Sequence, residues 1–341
     1  MKRKLIIHVG MGKTGSSSIQ KTLRVARPAL EEYGIKYLGL MLEHLSLPRT
    51  QYEWHAVDGW GPYMRMDKAQ ANRELAHALQ YADDHLSTQL HTLIWSNESL
   101  FDRFKDVQPA LEAIQGRYDI HVIGYIRRPD SWIVSAYLQW GIKHKAYRGP
   151  LKPFREWVQS KPYVVTPMTQ EWTAFTDHAR FFNFENISDV STQFVHVVLG
   201  LSDDKIPSLR ENDTPPPPAM ALFSYHNSLS DRHVLPDEIE PLLQQAGLYE
   251  KMQKVQPYNK LLPEESEVSA YVKRSQDEIQ KINALFEASG QVVFDLEESR
   301  FKNYMVSPLD TNRAMLQLIV HLWREVEALK AELNEMRERN D

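Results

Sequence analysis

The chain has 341 residues, 42% of them apolar and 25% charged, with a net charge of −5. This supplies enough apolar side chain for one large or two modest domains, while the acidic balance argues against bulk nucleic-acid binding, which needs a basic surface. The absence of cysteine excludes disulfides and cysteine-ligated metals, and nothing resembles a signal peptide or membrane span, because the first apolar run covers only residues 5–9.

That run, Leu5-Ile6-Ile7-His8-Val9, reads as a buried strand. It leads into Gly10-Met11-Gly12-Lys13-Thr14-Gly15-Ser16-Ser17-Ser18, after which Ile19 and Leu23 fall on one face of a helix. Strand, glycine turn, lysine, hydroxyls and helix together make a cradle for a phosphate-like anion. Glycines let backbone N–H groups approach the oxygens, and the helix start adds the positive end of its dipole. The common nucleotide-triphosphate loop, G-x-x-x-x-G-K-[ST], would place its first glycine on Ile7, inside the strand. A kinase or NTPase built on this loop stays open as the alternative. It would need a magnesium-binding aspartate after an apolar strand, and Asp295, after Val292-Val293-Phe294, is the one tempting match.

Residues 37–60, with Pro48, Trp54, His55 and Trp60, read as irregular, and irregular loops of that length are often functional. Residues 67–89 have helical spacing, with Ala71, Leu75, Ala78 and Leu86 on one side. Residues 90–95 read as a strand, followed by Ser96-Asn97-Glu98-Ser99. Another strand, residues 122–126, ends in Arg127-Arg128-Pro129; proline suits the first turn of a helix, and Ser135 lies about two turns inside it. Strands and helices alternate to Leu201, which predicts a parallel sheet flanked by helices, an α/β fold with a P-loop-like start. Residues 1–202 form this expected core. Residues 203–219, with four consecutive prolines at Pro215-Pro216-Pro217-Pro218, read as a linker. Residues 220–307 read as a mostly helical extension completing the domain, with a short strand at 292–294.

Residues 308–341 read as an amphipathic helix. Met315, Ile319, Leu322, Val326, Leu329, Leu333 and Met336 alternate steps of four and three, a heptad seam among charges. A self-associating coiled coil, hence a homodimer, is favoured over a helix packed on its own domain.

Three of these blocks resemble the sulfotransferases that use 3′-phosphoadenosine 5′-phosphosulfate, hereafter PAPS. Lys13-Thr14-Gly15-Ser16-Ser17 is similar to their K-[ST]-G-[ST]-[ST] loop for the 5′-phosphosulfate. Arg127-Arg128-Pro129 matches their R-x-P, and Ser135 stands eight residues after Arg127, as their serine does. Residues 179–201 fit more loosely, and there the resemblance gives Glu185 a scaffold role. The resemblance implies that Gly12, Lys13, Thr14, Gly15, Ser16, Ser17 and Ser18 hold the 5′ end and that Arg127 and Ser135 bind the 3′-phosphate. Arg128 is then expected to be a solvated surface arginine.

The same resemblance makes Lys13 the catalytic charge stabiliser, with PAPS as co-substrate and no metal required. It places the base, His or Glu, after a strand edge facing the loop. Glu98 is the candidate, a carboxylate in a partly dry cleft being able to act as base near neutral pH; helix capping is its structural alternative, and His55 the rival base. His8 is expected to pack beside the loop. The adenine-stacking tryptophan of many cytosolic members is replaced by Ser18, and their C-terminal R-K-G block is absent. Lacking the membrane anchor and disulfides of Golgi sulfotransferases, the chain looks like a bacterial cytoplasmic enzyme, and Lys13-Thr14-Gly15-Ser16-Ser17-Ser18-Ile19-Gln20 with Ser96-Asn97-Glu98 after a strand is similar to bacterial enzymes that sulfate sugars. The implied acceptor is a hydroxyl or amine of a glycan, glycolipid or small molecule.

Overall fold

The computed structural model describes residues 2–48, 52–145, 147–202, 258–296 and 300–338, with Ile206, Leu209, Ser224, Asn227, Ser228 and Asp231 between them. The four prolines and most of the expected linker lie outside these residues. The chain divides into two compact units. The first comprises Met1–Trp132, Tyr163–Glu211 and Tyr271–Ser299; the second comprises Ile133–Pro162, Asn212–Ala270 and Arg300–Asp341.

The first unit is α/β. Five parallel strands, β1 (Arg3–His8), β2 (Ile35–Gly39), β3 (Thr92–Ser96), β4 (Tyr118–Ile126) and β5 (Ala179–Asn183), lie in the order β2-β3-β1-β4-β5. Apolar runs make the central strands: Leu5, Ile7, Leu93, Ile94 and Val122 are fully buried, as strands covered on both faces require. The register sets His8 opposite Ser96 on β3 and Ile123 on β4, so β1 and β3 end together while β4 runs on to Ile126. The chain first winds from β1 to β2 and β3, then crosses β1 to reach β4 and β5. This reversal of winding puts a topological switch point at β1, and open α/β sheets bind ligands beyond the C-terminal strand ends at such a point.

Helix α1 (Ser16–Val25) follows β1 at once and buries Ile19 and Leu23 against Ile6, Ile94, Ile123 and Tyr125. Each fully buried side chain of this size contributes roughly 1.5–3 kcal/mol, so the seat of α1 is set by its apolar stripe. Helices α2 (Arg27–Glu32) and α3 (Trp60–Arg65) follow, then α4 (Lys68–His85). Helix α4 starts where Asp67 caps it by accepting from the Gln70 N–H at 2.9 Å. Its Ala71, Leu75 and Ala78 are buried as their spacing predicts, while Leu86 lies just past its end. Helices α5 (Phe104–Ile114) and α6 (Pro129–Ala136) bracket β4.

The expected strand at 292–294 is not formed; the segment is irregular. It runs along β5 on side-chain bonds instead. Gln291 Nε2 donates to the Phe181 carbonyl at 2.7 Å and Asn183 Nδ2 to the Val292 carbonyl at 2.9 Å. A segment held this way covers the sheet edge without extending it.

In the second unit, Tyr137 is fully buried, and its hydroxyl donates to the carbonyls of Lys152 at 2.9 Å and Leu261 at 2.6 Å. Buried Lys145 donates to the Asn227 carbonyl at 3.1 Å. The last helix, Pro308–Glu338, is 31 residues long. No described helix is long and apolar enough to cross a membrane.

Candidate functional site

Beyond β1 the backbone keeps one more sheet bond, the Val9 N–H donating to the Ile123 carbonyl at 2.8 Å, and then turns sharply. Lys13 and Gly15 both take the left-handed conformation, with φ of 72° and 78°. Glycine adopts it freely; for lysine it is uncommon and worth explaining. The Lys13 conformation is held from two sides. The Thr14 hydroxyl donates back to the Met11 carbonyl at 2.6 Å, and Arg127 Nη1 donates to the Lys13 carbonyl itself at 2.9 Å. Left-handed residues alternating with ordinary ones turn successive N–H groups toward one side, the geometry of an anion nest.

Helix α1 begins in the nest. Gly15 has no side chain to cap it, and no acidic residue lies in the first turn, so the positive end of its dipole is not compensated locally. The Ser16 hydroxyl is buried with no hydrogen-bond partner among the described residues. It lies so close to Gly10 that a Cβ there would displace it, so the glycine lets the hydroxyl stand against the loop backbone rather than serving φ. Behind it sits His8, fully buried, with Nδ1 on Ser96 Oγ at 2.7 Å and Nε2 without a partner among the described residues. The rings of Tyr125 and Phe194 stand edge-on to it at 5.7 and 5.5 Å. Burial lowers its pKa to about 3, so His8 is a neutral packed side chain beside the loop, as expected.

Arg127, at the end of β4, is brought to the loop by the β1–β4 pairing. Besides Lys13, its Nε donates to Ser131 Oγ at 3.1 Å, its guanidinium lies 5.4 Å over the Phe184 ring, and Glu185 approaches to 3.8 Å. Glu185 also accepts from Ser131 Oγ at 2.7 Å. Arginine, serine and glutamate thus form one linked group beside Lys13. Ser135 is buried on α6 and belongs to the second unit.

Arg128 departs from expectation. It is 2% exposed, not solvated. It pairs with Asp130 through two bonds of 2.7 and 2.8 Å, and its Nη1 donates to the Asp295 carbonyl at 2.6 Å. The carboxylate two residues on cancels its charge and lets it be buried.

Glu98 lies past β3 in a short 3-10 turn that Asn97 caps by accepting from the Ser99 N–H at 3.0 Å. Glu98 itself accepts from Gln20 Nε2 of α1 at 2.7 Å. The carboxylate is thereby tied to the helix that starts at the nest, one turn beyond Ser16. Gln20, not singled out in the sequence, is legible in retrospect: it stands four residues after Ser16, on the same helix face. Tyr37 was missed as well. Its hydroxyl is buried without a partner among the described residues, and its pKa is pushed up first by burial and then by Glu43, with Glu98 contributing. His55 is held at the Leu42 carbonyl through Nε2 at 2.7 Å, against the Trp54 ring.

One further grouping among the described residues lies toward the opposite ends of the strands. Asp119 and His121, two apart on β4, share a face, and His178 stacks on His121 at 4.5 Å. His121 donates to Asp119 at 2.8 Å, which holds that carboxyl below its ordinary pKa.

Compared with known proteins, the chain matches no family model and no curated protein.

Proposed function

We propose that this chain is a PAPS-dependent sulfotransferase, moving a sulfuryl group to a hydroxyl or amine of a glycan, glycolipid or small-molecule acceptor. The observation that carries the reading is the single hydrogen bond from Arg127 to the Lys13 carbonyl, 2.9 Å. It brings together two sequence blocks, 114 residues apart, that the sulfotransferase resemblance assigns to the two anionic ends of one nucleotide. The uncapped start of α1 and the unpartnered Ser16 hydroxyl suit an oxyanion acceptor group from outside the protein.

In this reading Lys13 and the nest amides stabilise charge that builds on the leaving phosphate and the sulfuryl oxygens. Gly12, Thr14, Gly15, Ser16, Ser17 and Ser18 shape and line the 5′ subsite, and Arg127 takes the 3′-phosphate. Glu98, oriented by Gln20, removes the acceptor's proton. Sulfuryl transfer in this scheme needs no metal, and a bacterial cytoplasmic setting follows from the same resemblance.

The test is thermal unfolding with adenosine 3′,5′-bisphosphate and no added metal. A ligand at a hundredfold excess over its Kd adds about 2.7 kcal/mol to the state that binds it. A clear upward shift in Tm, larger than the shift with AMP, is expected. Equal shifts would remove the 3′-phosphate site, and stabilisation by ATP only with magnesium would establish the kinase alternative instead.

A further inference from the structure

The helix Pro308–Glu338 presents its apolar seam to water. Met315, Ile319, Val326, Leu329, Leu333 and Met336 are each between 38% and 62% exposed. Six large apolar side chains in a row on one face are not scattered surface residues but a continuous stripe, and such a stripe marks an interface.

The heptad register names the partner. With steps of four and three, Ile319, Val326 and Leu333 take position a, and Leu322, Leu329 and Met336 take position d. β-Branched residues at a with leucine at d, as in Ile319–Leu322 and Val326–Leu329, favour two parallel strands. The flanking charges select the same arrangement. Glu325 and Glu332 occupy g, while Lys330 and Arg337 occupy e. In a parallel, in-register pair each g residue faces the e residue five positions on in the other helix. Glu325 then meets Lys330 and Glu332 meets Arg337, opposite charges in both cases. An antiparallel pair would set g against g and e against e, glutamate facing glutamate and cation facing cation. That arrangement is disfavoured.

We infer that the last helix joins two copies of this chain as a parallel, in-register, two-stranded coiled coil. The inference does not depend on the proposed activity. It is self-sufficient because one helix carries both halves of the charge pattern, as a C2 pair requires.

Light scattering of the full-length chain at tens of micromolar should give the mass of a dimer. Leu322→Glu with Leu329→Glu should give a monomer, since each places a charge at d in both helices. Because the chain has no cysteine, Met336→Cys adds a unique thiol at a d position, where the parallel pairing brings the two copies together. Under mild oxidation it should link the dimer covalently. A monomeric or trimeric wild type overturns the inference. So does a dimer indifferent to the two glutamates. A dimer that Met336→Cys fails to cross-link overturns the parallel register.

Discussion

Acidifying the protein from pH 7 to pH 5 should weaken the sheet unit through His8 alone by about 2 kcal/mol. In the folded chain the imidazole is fully buried, and its neighbours are a serine hydroxyl and two aromatic rings, with no carboxylate among them. Its pKa is lowered by burial from 6.5 to about 3. Between those values the unfolded chain binds a proton that the folded chain refuses, so stability is fully present above about 6.5 and is lost as pH falls. Integrating that difference gives about 2 kcal/mol at pH 5 and about 3 kcal/mol at pH 4. This is a sizeable share of a typical stability of about 5–15 kcal/mol. Urea unfolding of wild type and His8→Gln at pH 7 and pH 5 isolates the effect, because all other titrating groups are common to both. The wild type should lose about 2 kcal/mol more than the variant over that interval. An NMR titration of the folded wild type gives a second readout, in which the His8 ring should stay neutral at pH 5. Parallel losses in the two proteins, or a His8 resonance titrating near pH 6.5, would refute the reasoning.

Four substitutions probe the site. Arg127→Ala should weaken adenosine 3′,5′-bisphosphate binding roughly ten- to hundredfold by calorimetry, the worth of a charge-assisted bond. Arg128→Ala should instead cost about 3–5 kcal/mol of stability by leaving Asp130 buried and unpaired; a folded Arg128→Ala protein that has lost nucleotide affinity would show that the two arginines are misassigned. Gly10→Ala should cost about 1–3 kcal/mol from overpacking against Ser16 and should diminish the thermal shift with nucleotide; an unchanged shift would mean the loop tolerates the displacement of Ser16. Glu98→Gln should keep nucleotide binding while lowering turnover by roughly 10²–10⁴-fold, and near-normal turnover would return Glu98 to a structural role and promote His55.

Much of the fold was legible from local pattern. The apolar run at β1, the stripe of Ile19 and Leu23, the spacing of Ala71, Leu75 and Ala78 and the pairing of proline with a helix start are short-range signals. Each depends on residues within a turn or two of one another, and periodicity reports them directly. The parallel sheet followed from the alternation of strands and helices. The nest was legible as well, because its glycines, lysine and hydroxyls are consecutive.

Other features were decided only by tertiary structure. Nothing in Arg128 and its neighbours announces burial; it takes the Asp295 carbonyl, 167 residues away, together with Asp130. Residues 292–294 have the composition of a strand, yet Gln291 and Asn183 engage the edge of β5 through side chains, and the ladder stops there. Glu98 is oriented by Gln20, 78 residues earlier, and Arg127 reaches Lys13 because β4 pairs with β1. The sequence by itself determined the local elements and the chemical types gathered in each block. Which of those groups face one another was set by strand order and register, because long-range contacts carry no periodic signature and burial of a charge depends on a partner that only folding brings near.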